Sequence, residues 1–310
     1  MRTKERVING MEQRKLGNTD MLVSVVGFGG YEIAMKSVET TIEGTRKLLN
    51  TGLDQGMNVI DTASCYLESE RMIGETVSHR RKDFYLFSKF GEGKSYGLPY
   101  PDWDVRNVKP SVERTLRDLK TDYLDVMFIH SCTEAVLRRG ELIEAAQKLK
   151  EEGIARYIGY SGDSTHALYA IETGVFDVLQ TSLSIADQEA ATMTLDKAKE
   201  RGMGVVIKRP IANVVWSRQG AENAPEEYVT RLEKLAYPFM DEDSDAIVEK
   251  SLRFVLSFPQ VDLALVGTKN LDHLLRSFEF AAKGKLNPEE FDAIRKRWQD
   301  VHEPAWAGLE

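Results

Sequence analysis

Cysteine is scarce: Cys65 and Cys132 are the two in 310 residues. They build no disulfide framework and form no CxxC pair, so the chain reads as one from a reducing compartment, in the simplest case the cytoplasm. Histidine is scarce as well. The five are scattered, with no HExxH and no metal-ligand spacing, so no metal is expected. Positive charge is in deficit, with 41 Lys+Arg against 49 Asp+Glu and a net charge of -8. That balance argues against a nucleic-acid partner, which selects a basic face. Long hydrophobic runs are missing too. None reaches the roughly 18 residues of a membrane-spanning helix, so no membrane partner is expected. Residues 1–10 are charged and lack the apolar stretch of a secretory signal. They read as a loose extension, which gives residues 1–11 as an N-terminal extension and 12–310 as one domain.

What the chain does have is alternation. Short apolar runs rich in β-branched and aromatic residues recur at 23–29, 58–63, 84–90, 126–131, 155–162, 178–182, 204–210 and 263–268. Their cores are continuous, as in Val126-Met127-Phe128-Ile129, the pattern of strands buried on both faces in a parallel sheet. Helix-period stretches lie between them. One spans 40–56. Another, 110–120, puts Val112, Leu116 and Leu119 on one stripe, with Pro110 in its first turn. The stretch 141–152 aligns Leu142, Ala145, Ala146 and Leu149, and Gly153 suits its C-cap. A fourth, 244–257, groups Ile247, Phe254 and Val255.

Eight such units fit either a closed (β/α)8 TIM barrel or an open doubly wound sheet. Even spacing, and no Gly-rich dinucleotide fingerprint after the first strand, favour the barrel. The long insertions at 91–108 and 211–243 follow strands 3 and 7, which places them on the C-terminal face where substrate loops sit. Residues 287–301 read as an extra C-terminal helix.

Several strings fail as motifs. Gly91-Glu92-Gly93-Lys94-Ser95 has the end of a phosphate-binding loop, but Ser88 stands where its first Gly is required. The stretch from Gly27 reaches Glu32 where GxGxxG needs Gly. Gly159-Tyr160-Ser161-Gly162-Asp163 lacks the last Gly of a nucleophile elbow.

The strand ends are more informative, because barrel enzymes draw their catalytic groups from them. In order they are Asp61, Lys89, His130, Ser161, Gln180, Lys208 and Thr268. Each closes an apolar run, where an unpaired polar group costs a few kcal/mol. Seven converging on one mouth describe a polar site. A buried Lys89 needs a counter-ion, and Asp61 can supply it. A cation beside a phenol favours phenolate, so Lys89 is expected to lower the pKa of Tyr66 from about 10 and make it a usable proton donor. His130 can hydrogen-bond the same substrate oxygen. No side chain supplies a hydride, so a cofactor must. Tyr31 and Trp103, with Tyr96 and Tyr100, are candidates for the substrate pocket, and Cys65 reads as a small packing residue.

With these residues assembled, the sequence resembles the aldo-keto reductases over about 12–284. The resemblance rests on Leu16-Gly17, Val23-Ser24, Asp61-Thr62-Ala63 with Tyr66 and Ser69-Glu70, Ser88-Lys89, His130, Gly159 with Ser161, Gln180 and Gly267-Thr268. It implies a (β/α)8 barrel that moves hydride reversibly between a nicotinamide and an aldehyde or ketone. Tyr66 is then the general acid, Lys89 and Asp61 its tuning pair, and His130 the substrate-orienting group. It further implies that Ser161, Asp163 and Gln180 contact the nicotinamide carboxamide. Lys208, with Pro210 just beyond, would lie beside the ring. Gly267, Thr268, Lys269, Asn270 and His273 would meet the adenosine phosphate. Lys269 and Asn270 point to NADP(H), with NAD(H) as the alternative. Leu67 stands where the family usually has Gly. The expected partner is a small carbonyl or alcohol. Two other readings remain at this point: a Schiff-base aldolase using Lys89 or Lys208, and a nucleotide-binding regulatory subunit on the same fold with little turnover.

Overall fold

The computed structural model describes residues 6–8, 10–34, 41–93, 97–217 and 225–309. Eight parallel strands close into a barrel: β4 (Val26–Gly29), β5 (Val59–Asp61), β6 (Tyr85–Phe90), β7 (Leu124–His130), β8 (Ala155–Ser161), β9 (Val178–Ser182), β10 (Gly204–Lys208) and β11 (Leu263–Gly267). Each pairs with the next, and β11 closes on β4. Each expected apolar run contributes one of these strands.

The first run needs a correction. It divides at Ser24, whose hydroxyl donates to the Val26 carbonyl at 2.8 Å and turns the chain. Leu22–Ser24 (β3) belongs to a separate antiparallel sheet with β1 (Arg6–Ile8) and β2 (Met11–Lys15). The segment 6–8, expected to be loose, is therefore a strand, with Val7 opposite Glu12. This small sheet plugs the barrel floor.

The interior follows from the two-residue period of a strand. Val59, Phe87, Val126, Phe128, Val178, Val206, Leu263 and Leu265 form one buried cluster inside the cylinder, and Leu16, Met21 and Val23 fill it from below. Two residues beyond the last apolar member, the same face of five strands turns polar: Asp61 after Val59, Lys89 after Phe87, His130 after Phe128, Gln180 after Val178, Lys208 after Val206. Gly159 has its own reason inside this stack, since a Cβ there would lie 2.5 Å from the Phe128 ring.

The helices form around this core. Ile42–Asp54 starts at Thr41, whose side chain accepts from the Gly44 N–H at 2.9 Å. Val108–Leu119, Glu141–Glu151 and Ser244–Ser257 bury most of the stripes expected of them, with Leu116 and Ala145 only half-buried. Pro288–Val301 packs Ile294 and Trp298 inward. The insertion at 211–243 contains a helix, Glu226–Leu235, that its acidic composition concealed. Among the described residues no helix is long and apolar enough to cross a membrane.

Candidate active site

Register sets the floor of the site. His130 on β7 lies opposite Ser161 on β8, and Ser161 lies opposite Gln180 on β9, so three polar residues stand side by side at one level. Their side chains continue into a chain of hydrogen bonds. Ser161 Oγ donates to Gln180 Oε1 at 3.0 Å, and Gln180 Nε2 donates to Asp61 Oδ2 across the barrel at 2.9 Å. Lys89 Nζ completes it, 2.5 Å from Asp61 Oδ1 and 2.7 Å from the Thr62 carbonyl. Lys89 and Asp61 are both buried. Burial raises the Asp61 pKa, while Lys89 and Gln180 act to lower it. Lys89 thus points its donors at a carboxylate and a carbonyl, an arrangement suited to a cation and not to a nucleophilic amine.

Tyr66 hangs over this chain on a tight turn after β5. Its N–H donates to the Ala63 carbonyl at 3.0 Å, and Ser69 N–H returns to the Tyr66 carbonyl at 2.8 Å. The turn is held from the side: Thr62 Oγ1 donates to Ser69 Oγ, which donates to the Gly30 carbonyl at 2.8 Å. Leu67 sits in the left-handed region with φ of 44°, the conformation for which glycine is the low-strain choice. The Tyr66 ring meets three neighbours. Lys89 Nζ lies 5.1 Å from its centroid, the His130 ring is edge-on at 6.0 Å, and the Tyr31 ring is edge-on at 5.1 Å.

The expected direction of the Tyr66 pKa is corrected. Burial of the phenol, followed by the Asp61 carboxylate, pushes it well above 10. Lys89 does not reverse this, because its charge is already matched by Asp61. Tyr66 is therefore a neutral phenol with a proton to give. His130 moves the other way: burial, then the charges of Lys89, Lys208 and Arg209, hold it well below its ordinary value. Its imidazole is neutral near pH 7 and can donate from one nitrogen while accepting at the other.

The loop after β6 closes one wall. Trp103 Nε1 donates to the His130 carbonyl at 2.7 Å. Gly91, at φ of 134°, lets the indole in, since a Cβ there would lie 2.9 Å from Trp103 Cδ1. Tyr31 is 51% exposed and stands at the rim. Tyr100 stacks under the Arg106 guanidinium at 3.7 Å, and Tyr96 lies outside the described residues.

On the opposite wall, Asp163 accepts from Thr181 Oγ1 at 2.7 Å, Ser182 N–H at 2.6 Å and Ser182 Oγ at 3.2 Å, and it pairs with Lys208 Nζ at 2.8 Å. Burial works to raise its pKa, but Lys208 and these donors bring it below the usual carboxylate value. Its oxygens are occupied, so it positions Lys208 and offers little to a carboxamide. Lys208 Nζ also reaches the Leu309 carbonyl at 3.1 Å, which Arg209 and Ser182 Oγ share. Gly308 packs so closely that a Cβ would lie 2.6 Å from Asp163 Cβ. Pro210 is buried behind this pair.

Around β11, Gly267 is exposed, Thr268 is buried, and Asn270 Oδ1 caps the helix Leu271–Ala282 by accepting from Asp272 N–H at 2.8 Å and His273 N–H at 3.4 Å. Lys269 faces Glu32, whose pKa burial raises and Lys269 opposes. Lys208, Arg209 and Lys269 supply three cations at the ends of the adjacent strands β10 and β11, with Gln180 on the next strand, β9, and Ser161 on β8. That donor set fits an anionic dinucleotide. Glu32, Glu92, Arg209 and the Leu309 carbonyl were not legible as site groups. Glu32, Glu92 and Leu309 come from segments with no strand-end signal of their own, and Arg209 was overshadowed by the strand end Lys208 beside it.

The sequence profile described as "Aldo/keto reductase family" matches residues 25–299. The chain belongs to this family. Its members are oxidoreductases of carbonyl compounds that use nicotinamide cofactors. The chain is 27% identical to the "uncharacterized oxidoreductase YqkF" of Bacillus subtilis, covering 94% of this chain and 98% of that one. It is 26% identical to L-galactose dehydrogenase of Arabidopsis thaliana, over 85% and 86% of the two chains. An aldo-keto reductase from Bacillus halodurans, solved in its holo form, superposes with a TM-score of 0.79 at 25% identity, covering 95% of this chain and 99% of that one.

Proposed function

We propose that this aldo-keto reductase reduces an aldehyde or ketone with NADPH, using Tyr66 as the general acid. The observation that supports this best is the Tyr66–Lys89–Asp61 cluster, with a neutral His130 beside it, at the end of a barrel whose rim carries Lys208, Arg209 and Lys269.

A nicotinamide cofactor held by Ser161, Gln180 and the cations of the rim would supply the hydride for the carbonyl carbon. The chain's own residues manage the oxygen. His130 hydrogen-bonds the carbonyl oxygen and fixes its direction. The Tyr66 hydroxyl gives its proton to that oxygen as the C=O bond becomes C–O–H. Lys89 lies close enough to the ring to stabilise the phenolate left behind, and Asp61 holds Lys89 in place. Solvent then returns the proton to Tyr66, and the alcohol leaves. A phenol held well above 10 is loaded with its proton throughout the neutral range.

Ser161 and Gln180 are assigned to the nicotinamide carboxamide, with Asp163 holding Lys208 for them. Pro210 supports the Lys208–Arg209 turn at the ring. Gly267, Thr268, Lys269, Asn270 and His273 are assigned to the adenosine end, where Lys269 favours a 2′-phosphate. Tyr31 and Trp103 are assigned to the substrate pocket. The free thiols of Cys65 and Cys132 fit a reducing compartment such as the cytoplasm.

The test is NADPH oxidation over a panel of aldehydes, ketones and sugars. Sugars belong in it because of the likeness to L-galactose dehydrogenase. Turnover of at least one carbonyl class, falling about 10²–10⁴-fold in Tyr66→Phe, is the expected result. Tight NADPH binding with no carbonyl oxidising it would sink the proposal in favour of a nucleotide-binding subunit.

A further inference from the structure

Three metal-ligating groups meet at His130 Nδ1, and two of them, Cys65 and Glu92, have no part in the reductase chemistry. Cys65 Sγ lies 3.3 Å from His130 Nδ1, and Glu92 Oε1 lies 3.7 Å from the same nitrogen. One ligating atom from each residue falls within 4.8 Å of the other two. They come from three adjacent barrel positions: the turn after β5, the loop after β6 and the end of β7. No linear spacing could have revealed them.

We propose that Cys65, Glu92 and His130 form a binding site for a thiophilic divalent cation of the zinc class, and that occupancy slows the reductase by sharing His130 with it. The geometry supports this directly. Tetrahedral zinc with bonds of about 2.0–2.3 Å sets its ligand atoms roughly 3.3–3.8 Å apart. The Cys–His and His–Glu separations already fall in that interval. One soft thiolate, one imidazole and one carboxylate make a borderline-soft donor set, which excludes magnesium and calcium as preferred occupants. Three protein ligands leave the fourth vertex to water. Charge closes as well. Thiolate and carboxylate neutralise the dication, and the nearby Lys89 is already balanced by Asp61. On binding, the Cys65 S–H bond breaks, an S–metal bond forms, and the proton goes to solvent.

The consequence for turnover follows from the shared ring. With Nδ1 on the ion, the imidazole is anchored to two loops and drained of electron density, so its other nitrogen no longer adjusts to a substrate oxygen. Tyr66 is next to Cys65 in sequence and is drawn along with it.

The experiment uses the full chain with a non-thiol reductant and Co²⁺ as the probe, with Zn²⁺ as competitor. A sulfur-to-cobalt charge-transfer band that Zn²⁺ abolishes is expected in the wild type and in Cys132→Ser. It should vanish in Cys65→Ser. In Glu92→Gln the affinity should fall by at least the roughly 10- to 100-fold that even an outer-shell partner is worth. Zn²⁺ should lower carbonyl turnover in the wild type and leave the turnover of Cys65→Ser at its own metal-free level. No band, or a band that survives Cys65→Ser or disappears in Cys132→Ser, overturns the site. A filled site that leaves turnover unchanged overturns the place of His130 in it. The band needs no turnover, so its outcome is independent of whether the reductase reading holds.

Discussion

At the floor of the barrel, Asp262 accepts from Val205 N–H at 2.9 Å and Gly17 N–H at 3.3 Å, and it pairs with Lys199 at 2.5 Å. Asp125 likewise accepts Leu86 N–H at 2.8 Å and binds Arg81 and Arg156. At the mouth, Asp61 makes an equally short pair with Lys89, but its other partner is the side chain of Gln180. Both ends contain buried carboxylate–cation pairs. At the floor each carboxylate accepts a backbone N–H from a neighbouring strand, and Asp262 also holds the turn that follows β2 through Gly17. At the mouth the pair is strung between side chains and stands under a phenol. A buried ion pair by itself therefore says little about function; what its remaining oxygens touch says more. Asp163, near the mouth, accepts a backbone N–H as the floor carboxylates do, and on that criterion it is a positioning residue.

The sharpest way to break this contrast is to remove the cation at each end. Lys89→Met leaves Asp61 buried and unpaired, so stability should fall by about 3–5 kcal/mol in urea unfolding, with turnover largely lost. Lys199→Met removes a partly exposed partner. It should cost about 1–3 kcal/mol and leave kcat and KM near wild type in the molecules that fold. Equal kinetic losses in both would erase the distinction.

A pH series sharpens it further. Glu70 lies under the mouth, accepting from Ser88 Oγ at 2.7 Å and Thr115 Oγ1 at 3.1 Å, and burial raises its pKa from 4.5 to about 7. Asp187 is raised from 3.8 to about 7 for the same leading reason. A raised folded pKa means that the native state binds the proton more tightly than the unfolded chain. The stabilisation is complete below pH 4.5 for Glu70 and pH 3.8 for Asp187 and is lost as pH climbs through about 7. Glu70→Gln keeps both hydroxyl contacts without the titration. Its urea midpoint should decline less between pH 5 and 8 than the wild type's, by up to about 3 kcal/mol in stability. A wild type that becomes more stable over that interval would contradict the assignment.

The smallest effect is expected at the adenosine end. Lys269→Ala should weaken NADPH by about tenfold, the value of one charge-assisted contact, and leave NADH nearly unchanged. Equal losses for both nucleotides, measured by quenching of protein fluorescence, would remove Lys269 from the 2′-phosphate.

Much of this was legible in the sequence, and for a specific reason. Strands buried on both faces write themselves as unbroken apolar runs, and a polar residue that closes such a run is conspicuous, so the barrel and the set Asp61, Lys89 and His130 could be read. Where local pattern and tertiary contact part ways, the reading failed. Val23 and Val26 look like one strand until the Ser24 hydroxyl turns the chain between them. Arg6–Ile8 is too charged and short to announce itself as an edge strand. The Tyr66 pKa was placed on the wrong side of 10 because Lys89 and Asp61 are both visible in a list of strand ends, while the burial of the phenol, which outweighs the cation, is not. Glu92 and the Leu309 carbonyl reach the site from loops and depend wholly on the path of the chain.

Two tyrosines carry the central claim to its most direct test, Tyr66 half-buried at the mouth and Tyr228 fully buried. Tyr66 and Tyr228 are both pushed well above 10, chiefly by burial, yet Tyr228 Oη donates to Asp187 at 3.3 Å away from the Lys89 cluster. NADPH-dependent carbonyl turnover of Tyr66→Phe and Tyr228→Phe, with NADPH affinity measured alongside, separates a proton donor from a packed phenol. The account predicts a kcat loss of about 10²–10⁴-fold in Tyr66→Phe with NADPH still bound, and near wild-type kcat in Tyr228→Phe. Full turnover in Tyr66→Phe would contradict it.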